Sequence, residues 1–158
     1  MGYEIERKFL VNGDFKSHAY TSFAIKQGYL SISGISVIRL RTKGDKAYIT
    51  IKSAVVEGLI KRHEWEYEIP LADAEEMLLL CEDAVIDKTR YLVKAGKHTF
   101  EVDEFYGENE GLQIAEVELE SEEETFEKPD WLGQEVTGNV RYYNSFLSIQ
   151  PYKKWNNE

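Results

Sequence analysis

Glu4, Glu6 and Lys8 fall at alternate positions of the run Glu4-Ile5-Glu6-Arg7-Lys8-Phe9-Leu10-Val11. In an extended strand alternate side chains share a face, so two carboxylates and an ammonium would form one polar strip. Ile5, Phe9 and Val11 line the other face, with Arg7 the exception among them. Such a strip can hold a divalent cation and an adjoining phosphate. It is equally the charged face of an ordinary amphipathic strand, and the octapeptide alone does not separate the two. The same spacing recurs along the chain: Arg39 with Arg41 and Lys88 with Arg90 as cation pairs, Glu64 with Glu66, Glu101 with Asp103 and Glu116 with Glu118 as anion pairs, and Lys52 and Arg62 on further strand-like runs. A surface built only for solubility intersperses its signs. Same-sign pairs on neighbouring strands are what a phosphate-and-metal cavity requires.

The elements that must position these residues are mostly strands. Strand signals cover residues 4–11, 24–33, 35–43, 46–53, 61–69, 86–95, 97–106 and 113–120, with Gly44-Asp45 and Gly96 reading as hairpin turns. A turn over Asn12-Gly13-Asp14 leads into a short mixed segment at 15–23, and a loop is expected around Gly58. After Pro70 the period changes: Asp73 followed by Glu76 resembles a capping box ahead of Met77-Leu78-Leu79-Leu80-Cys81, which predicts a helix over 73–83. Residues 121–126 and 139–149 also read as helical, joined through Pro129, Trp131 and Gly133. The expectation is a mainly β (α+β) chain of about eight antiparallel strands in consecutive hairpins. Closure into a barrel is one of the few ways such a sheet removes its edges.

At 158 residues with no repeat, linker or low-complexity stretch, residues 1–158 are expected to form a single domain with a core of its own. The single cysteine, Cys81, cannot make an internal disulfide, which fits a reducing, cytoplasmic setting. No apolar run approaches the roughly 20 residues that span a bilayer, so a membrane role is not expected. A net charge of −10 argues against an extended nucleic-acid surface. It leaves room for a small polyanion, because cations that converge in a cleft focus their field there and a metal offsets the carboxylates.

Alternation fixes which residues share a face but not which face points inward. In one arrangement the apolar faces fill the barrel and the charges meet solvent. In the other the charges line a hydrated tunnel, and helices 73–83 and 139–149 cover part of an apolar outside. His18, His63 and His98 fall on no ligand spacing, Cys81 reads as core, and Trp65 and Tyr67 read as outward packing beneath a helix. Tyr29, on the face of Gln27, reaches a tunnel or packs in the barrel wall, and the segment Tyr152 to Trp155 caps the barrel or frays.

Taken together, the motifs resemble the CYTH or triphosphate tunnel metalloenzyme superfamily, which includes small bacterial tripolyphosphatases, thiamine triphosphatases and class IV adenylate cyclases. The resemblance is carried in order by Glu4-x-Glu6-x-Lys8, Gln27-Gly28-Tyr29-Leu30, Arg39-x-Arg41, Thr50-Ile51-Lys52, Glu64-Trp65-Glu66-Tyr67-Glu68, Lys88-x-Arg90, Glu101-Val102-Asp103 and Glu116-Val117-Glu118. Glu135 to Gly138 and Arg141-Tyr142-Tyr143-Asn144 resemble the short bacterial tripolyphosphatase-like members. It implies an eight-stranded antiparallel closed tunnel with a charged lumen and a few flanking helices. It also implies that Lys8, Arg39, Arg41, Lys52, Lys88 and Arg90 grip a triphosphate, and that Glu4, Glu6, Asp103, Glu116 and Glu118 hold one or two Mg²⁺ or Mn²⁺ ions. Glu4, Glu6, Lys8 and Glu118 are the implied catalytic set, with Tyr29, Arg62, Glu64, Glu66 and Glu101 on the tunnel wall. The activity implied is metal-dependent hydrolysis of inorganic triphosphate. A nucleoside or thiamine triphosphatase, an adenylate cyclase, or a binding module for polyphosphate or phospho-ligands are the alternatives.

Overall fold

The computed structural model describes residues 2–54 and 60–155; the loop expected around Gly58 lies outside them. Among these residues the strands are β1 (Gly2–Val11), β2 (Ala19–Ile32), β3 (Ser36–Lys43), β4 (Lys46–Ser53), β5 (Lys61–Ile69), β6 (Ile86–Ala95), β7 (His98–Phe105), β8 (Gln113–Glu118) and β9 (Leu132–Glu135). The helices are α1 (Leu71–Leu78) and α2 (Asn144–Ile149). Pairing runs β5-β4-β3-β2-β6-β7-β8-β1, and β5 pairs back to β1 to close an eight-stranded antiparallel barrel. Every edge between β5 and β8 is a sequential hairpin except β2 with β6, where the chain detours through β3, β4, β5 and α1.

β1 is where the barrel closes. Its residues 2–5 pair with β5, its residues 6–10 with β8, and Phe9 and Val11 with β9. The ninth strand therefore takes over the edge that β5 leaves, and the backbone amide of Val136 continues the ladder by donating to the carbonyl of Lys8 at 2.8 Å. This close approach explains Gly133: a Cβ there would stand 2.9 Å from the carbonyl oxygen of Leu10.

The charged faces point inward and most of the apolar faces outward. On the outside of β1, β6, β7 and β8, Ile5, Phe9, Val93, Phe100, Val102, Ala115 and Val117 are buried against Phe15, Leu119 and Trp131. Phe100 meets Trp131 edge-on at 5.5 Å between ring centres, and Phe126 packs edge-on against Phe9 at 5.9 Å. On the opposite side α1 covers β2, β3 and β4, with Leu40, Ala47 and Ala74 fully buried. Contact with the sheet is direct at Gly28, where a Cβ would lie 3.1 Å from Leu78 at the end of α1 and 2.7 Å from Sγ of Cys81 just beyond it. Among the described residues no helix is long and apolar enough to cross a membrane.

The inner faces do not stay charged along their whole length. Arg90 and Lys88 lead to Ile86, Glu101 and Asp103 to Phe105, and Glu118 and Glu116 to Ile114. These apolar ends join Leu112 and Leu147 in a buried cluster, with Tyr142, Tyr152 and Trp155 packed against it. One end of the barrel is thus stoppered by α2 and the tail.

Several local expectations are corrected. α1 starts at Leu71 with Pro70 as its cap and ends at Leu78, and Asp73 sits in its first turn rather than capping it. β2 begins at Ala19, five residues before the alternation became legible. Residues 121–126 are not helical: Glu124 accepts from the amide of Glu120 and pairs with His98, which ties the segment down as a strap. The helix expected over 139–149 is broken at Tyr143, which is extended (φ −90°, ψ 143°), and α2 crosses the barrel end instead of covering its outside. Tyr67 is 59% exposed rather than packed beneath a helix, and Cys81 is only half-buried.

Candidate functional site

Strand register converts the sequence pairs into facing banks of charge. β1 sets Glu6 opposite Glu118 and Lys8 opposite Glu116 on one side, and Glu4 opposite Arg62 on the other. β4 sets Thr50 opposite Glu66 and Lys52 opposite Glu64; β3 sets Arg39 opposite Tyr29 and Arg41 opposite Gln27; β6 and β7 set Arg90 opposite Asp103. The inward side chains enclose a cavity of about 310 Å³ whose lining includes Glu4, Glu6, Lys8, Tyr29, Arg39, Arg41, Lys52, Arg62, Glu64, Glu66, Arg90, Glu101, Glu116 and Glu118. Lys88 and Asp103 lie behind this lining, buried in the wall.

The basic bank is held from behind. Asp103 accepts from Arg90 Nε at 2.7 Å and Nη2 at 2.9 Å and from Lys88 Nζ at 2.6 Å, so both its oxygens are taken. Burial disfavours its charged form, yet Arg90 and Lys88 hold the Asp103 carboxyl well below the usual carboxylate range. Two cations share this one carboxylate and Arg90 has the larger share. Burial pushes Lys88 down to about 7 despite Asp103, with Arg90 and Arg41 adding repulsion. Arg41 is pushed down to about 9 by burial and by Arg39 and Arg90. Its Nε donates at 2.9 Å to Gln27 Oε1, while Gln27 Nε2 donates at 3.1 Å to the Tyr29 hydroxyl. Arg39 reaches Thr50 Oγ1 at 3.2 Å, and Thr50 in turn donates to Glu66 at 2.8 Å.

The acidic bank carries more negative charge than its neighbours balance. Lys52 pairs with Glu4 at 3.0 Å and Glu64 at 3.3 Å, and Lys8 pairs with Glu116 at 3.1 Å. Burial opposes ionisation of Glu4 and Glu116, but Lys52 and Arg62 hold the first low, and Lys8 with a hydrogen bond from Glu6 holds the second low. Glu6 moves the opposite way: burial, then Glu116 and Glu4, push its carboxyl well above the usual range, so it carries the proton that it shares with Glu116. Glu118 is also raised, by burial and by Glu4, Glu101 and Glu64.

Carboxyls crowded until Glu6 is held well above its usual range are ligands whose mutual repulsion a hard divalent cation would relieve. By donor chemistry Glu4, Glu6, Glu116 and Glu118 fit Mg²⁺ or Mn²⁺. Among the described residues no group of three stands at metal-ligand spacing around one point, and Asp103 would have to give up Arg90 or Lys88 to join them.

The stoppered end adds residues that the charge pattern does not mark. The ring of Tyr143 lies 4.6 Å from Lys8 Nζ and 5.4 Å from the Arg62 guanidinium carbon, and its hydroxyl accepts from the amide of Gly138. Asn144 Oδ1 accepts from Lys88 Nζ at 3.1 Å. Gln27, Thr50, Tyr143 and Asn144 are neutral, so a search for charges two apart passes over them. Only their place inside the quoted motifs marked them.

A CYTH domain model matches residues 2–145. A curated protein of Acetivibrio thermocellus named inorganic triphosphatase is 48% identical over 156 residues, 98% of this chain and 99% of its own length. A second inorganic triphosphatase, from Nitrosomonas europaea, is 37% identical over 150 residues, 92% of this chain and 97% of its own. A crystal structure titled as an inorganic triphosphatase aligns with a TM-score of 0.68 at 34% identity, covering 94% of this chain and 96% of that one.

Proposed function

This chain belongs to the CYTH domain family, and from that premise we propose that it hydrolyses inorganic triphosphate to pyrophosphate and phosphate with Mg²⁺ or Mn²⁺. One observation carries the reading: the barrel cavity has a basic bank on β3 and β6 facing an acidic bank on β1 and β8. Both relatives named above are inorganic triphosphatases, and the chain matches them over nearly their whole lengths.

Lys8, Arg39, Arg41, Lys52 and Arg90 bind the non-bridging oxygens, the arginines as planar forks and the lysines as point charges. Lys88, behind the lining, adds positive field and fixes Asp103 between itself and Arg90. Glu4, Glu6, Glu116 and Glu118 would hold the cation, which when bound neutralises phosphate charge and lowers the pKa of a water. Catalysis of phosphoryl transfer rests on positioning and on charge stabilisation. The basic bank holds the chain of phosphates extended and stabilises charge on the departing pyrophosphate, and the apolar stopper keeps bulk water from that end.

The test is phosphate release from inorganic triphosphate, ATP and thiamine triphosphate in parallel, each with Mg²⁺, Mn²⁺ or excess chelator. Metal-dependent release that is fastest from inorganic triphosphate is expected; faster release from an organic triphosphate would move the substrate, and no release from any would sink the hydrolase reading.

Gln27 offers a finer check, because it orients Arg41 without carrying charge. In the Gln27→Met variant, which loses both hydrogen bonds, the KM for inorganic triphosphate should rise about tenfold with a smaller change in kcat. Gln27→Glu keeps an acceptor for Arg41 Nε and should recover most of the loss. Steady-state kinetics on both variants decide it, and equal KM values across the set would remove Gln27 from the site.

A further inference from the structure

Two guanidinium nitrogens in the cavity wall, Nε of Arg39 and Nε of Arg62, are buried and have no hydrogen-bond partner among the described residues. Buried donors are nearly always satisfied, so each is either a standing cost or a group waiting for an acceptor. Arg39 belongs to the basic bank already described. Arg62 does not: it sits on β5, whose other inward residues in the cavity, Glu64 and Glu66, are acidic.

What holds Arg62 leaves its donors unspent. The nearest carboxylate is Glu4, with Nη2 to Oε1 at 3.7 Å, too long for a hydrogen bond, and Glu4 already accepts twice from Lys52 at 3.0 and 3.1 Å. The Tyr143 ring, 5.4 Å from the guanidinium carbon, supplies an aromatic face rather than an acceptor. A guanidinium set on an aromatic platform inside a cavity, with a buried Nε unbonded, is arranged to receive an anion's oxygens.

Resting on the triphosphatase reading, we propose that Arg62 is a further phosphate-contacting residue of the site, with Tyr143 as its platform. Its Nε and terminal amides donate to oxygens of the bound triphosphate from the β5 side, across the cavity from Arg41 and Arg90.

The test separates a ligand-directed residue from a structural one by thermal denaturation in excess chelator, with and without inorganic triphosphate, so that binding is read without turnover. Arg62 makes no short hydrogen bond to Glu4, only the 3.7 Å approach and the face of Tyr143, so Arg62→Met is expected to lower the ligand-free Tm by no more than a few degrees. The shift that inorganic triphosphate produces should shrink, corresponding to about ten- to hundredfold weaker binding. Arg62→Lys, which keeps charge but loses the fork, should fall between. With metal present the KM of Arg62→Met should rise by a similar factor, more than kcat falls. An Arg62→Met variant that melts lower without ligand yet gains the full wild-type shift would overturn the proposal, as would an Arg62→Lys variant indistinguishable from wild type in both shift and KM. A wild-type protein that does not respond to inorganic triphosphate overturns the triphosphatase reading and Arg62 with it; equal responses in wild type and variants overturn Arg62 alone.

Discussion

Replacing Glu6 by glutamine is expected to cut metal-dependent phosphate release from inorganic triphosphate by at least about a hundredfold while leaving the metal-free fold at least as stable as before. In the metal-free cavity Glu6 is the carboxyl that keeps its proton, through burial and the closeness of Glu116 and Glu4. Glutamine copies that protonated form in shape and as a hydrogen-bond donor to Glu116. What it cannot copy is the ionised form that a cation would demand. Mg²⁺ or Mn²⁺ should therefore raise the Tm of the wild type and fail to raise that of the variant.

The pH dependence has a definite sign. A carboxyl raised in the folded state contributes stability that is complete in acid and is lost as pH climbs through the raised value. Without metal, wild type and Glu6→Gln should melt together in acid, and wild type should fall below the variant as pH rises past the ordinary carboxylate range. Paired melting curves across pH, with and without metal, check this, and a variant that melts far below wild type at every pH would show that Glu6 is needed ionised even without a metal.

Asp103→Asn should act on the fold rather than on the metal. The carboxylate is 2% exposed and neutralises both Arg90 and Lys88, so removing its charge strands two cations in the barrel wall beside Arg41. Breaking a buried pair from one side costs about 3–5 kcal/mol, or roughly 6–20 °C in Tm for a chain of this size. Here the depressed carboxyl contributes stability that is present above its unfolded value and disappears as pH falls through its folded one. The wild-type and variant curves should thus converge only in strong acid. Inorganic triphosphate, which brings negative charge to the same cations, should restore part of the loss. If Asp103 instead served chiefly as a metal ligand, the metal-free Tm would barely move and the response to Mg²⁺ would vanish.

The pairing behind that prediction was within reach of the sequence. Counting back from the Gly96-Lys97 turn, with Ala95 opposite His98, places Arg90 opposite Asp103. Most of the strands were legible because polar or charged residues alternate with apolar ones along them; β2 was legible only in part and β9 not at all. Which face turned inward was not, since period two is the same for a filled barrel and a charged lumen. The decision is made by distant parts: α1 over β2 to β4, and the strap that brings Phe126 and Trp131 onto Phe9 and Phe100.

The same distance explains the misread segments. Residues 121–126 are rich in glutamate, a good helix former, but the aromatic anchor at Phe126 and the turn through Pro129 override that preference. β9 is four residues long with a glycine inside it, and its pairing with β1 leaves no local trace. Tyr143 breaks the helix expected over 139–149 because its ring is needed beneath Lys8 and Arg62, a demand that no periodicity reveals.

The way β1 is flanked also sets an order of events for a growing chain. It leaves the ribosome before every strand it pairs with, and β8 and β9 follow roughly a hundred residues later, which at about 5–20 residues per second is on the order of ten seconds. Until then only the Glu4 end of β1 has a partner, β5, and Glu6 and Lys8 lack the strand they pair with. Contacts so remote in the chain make for slow folding, and the cavity takes shape only when β1 is finally clasped by β5, β8 and β9. A nascent or truncated chain lacking residues beyond β7 would possess most of the basic bank but only the β1 half of the acidic one, without Glu116 and Glu118, so the chemistry is withheld until the last step of assembly.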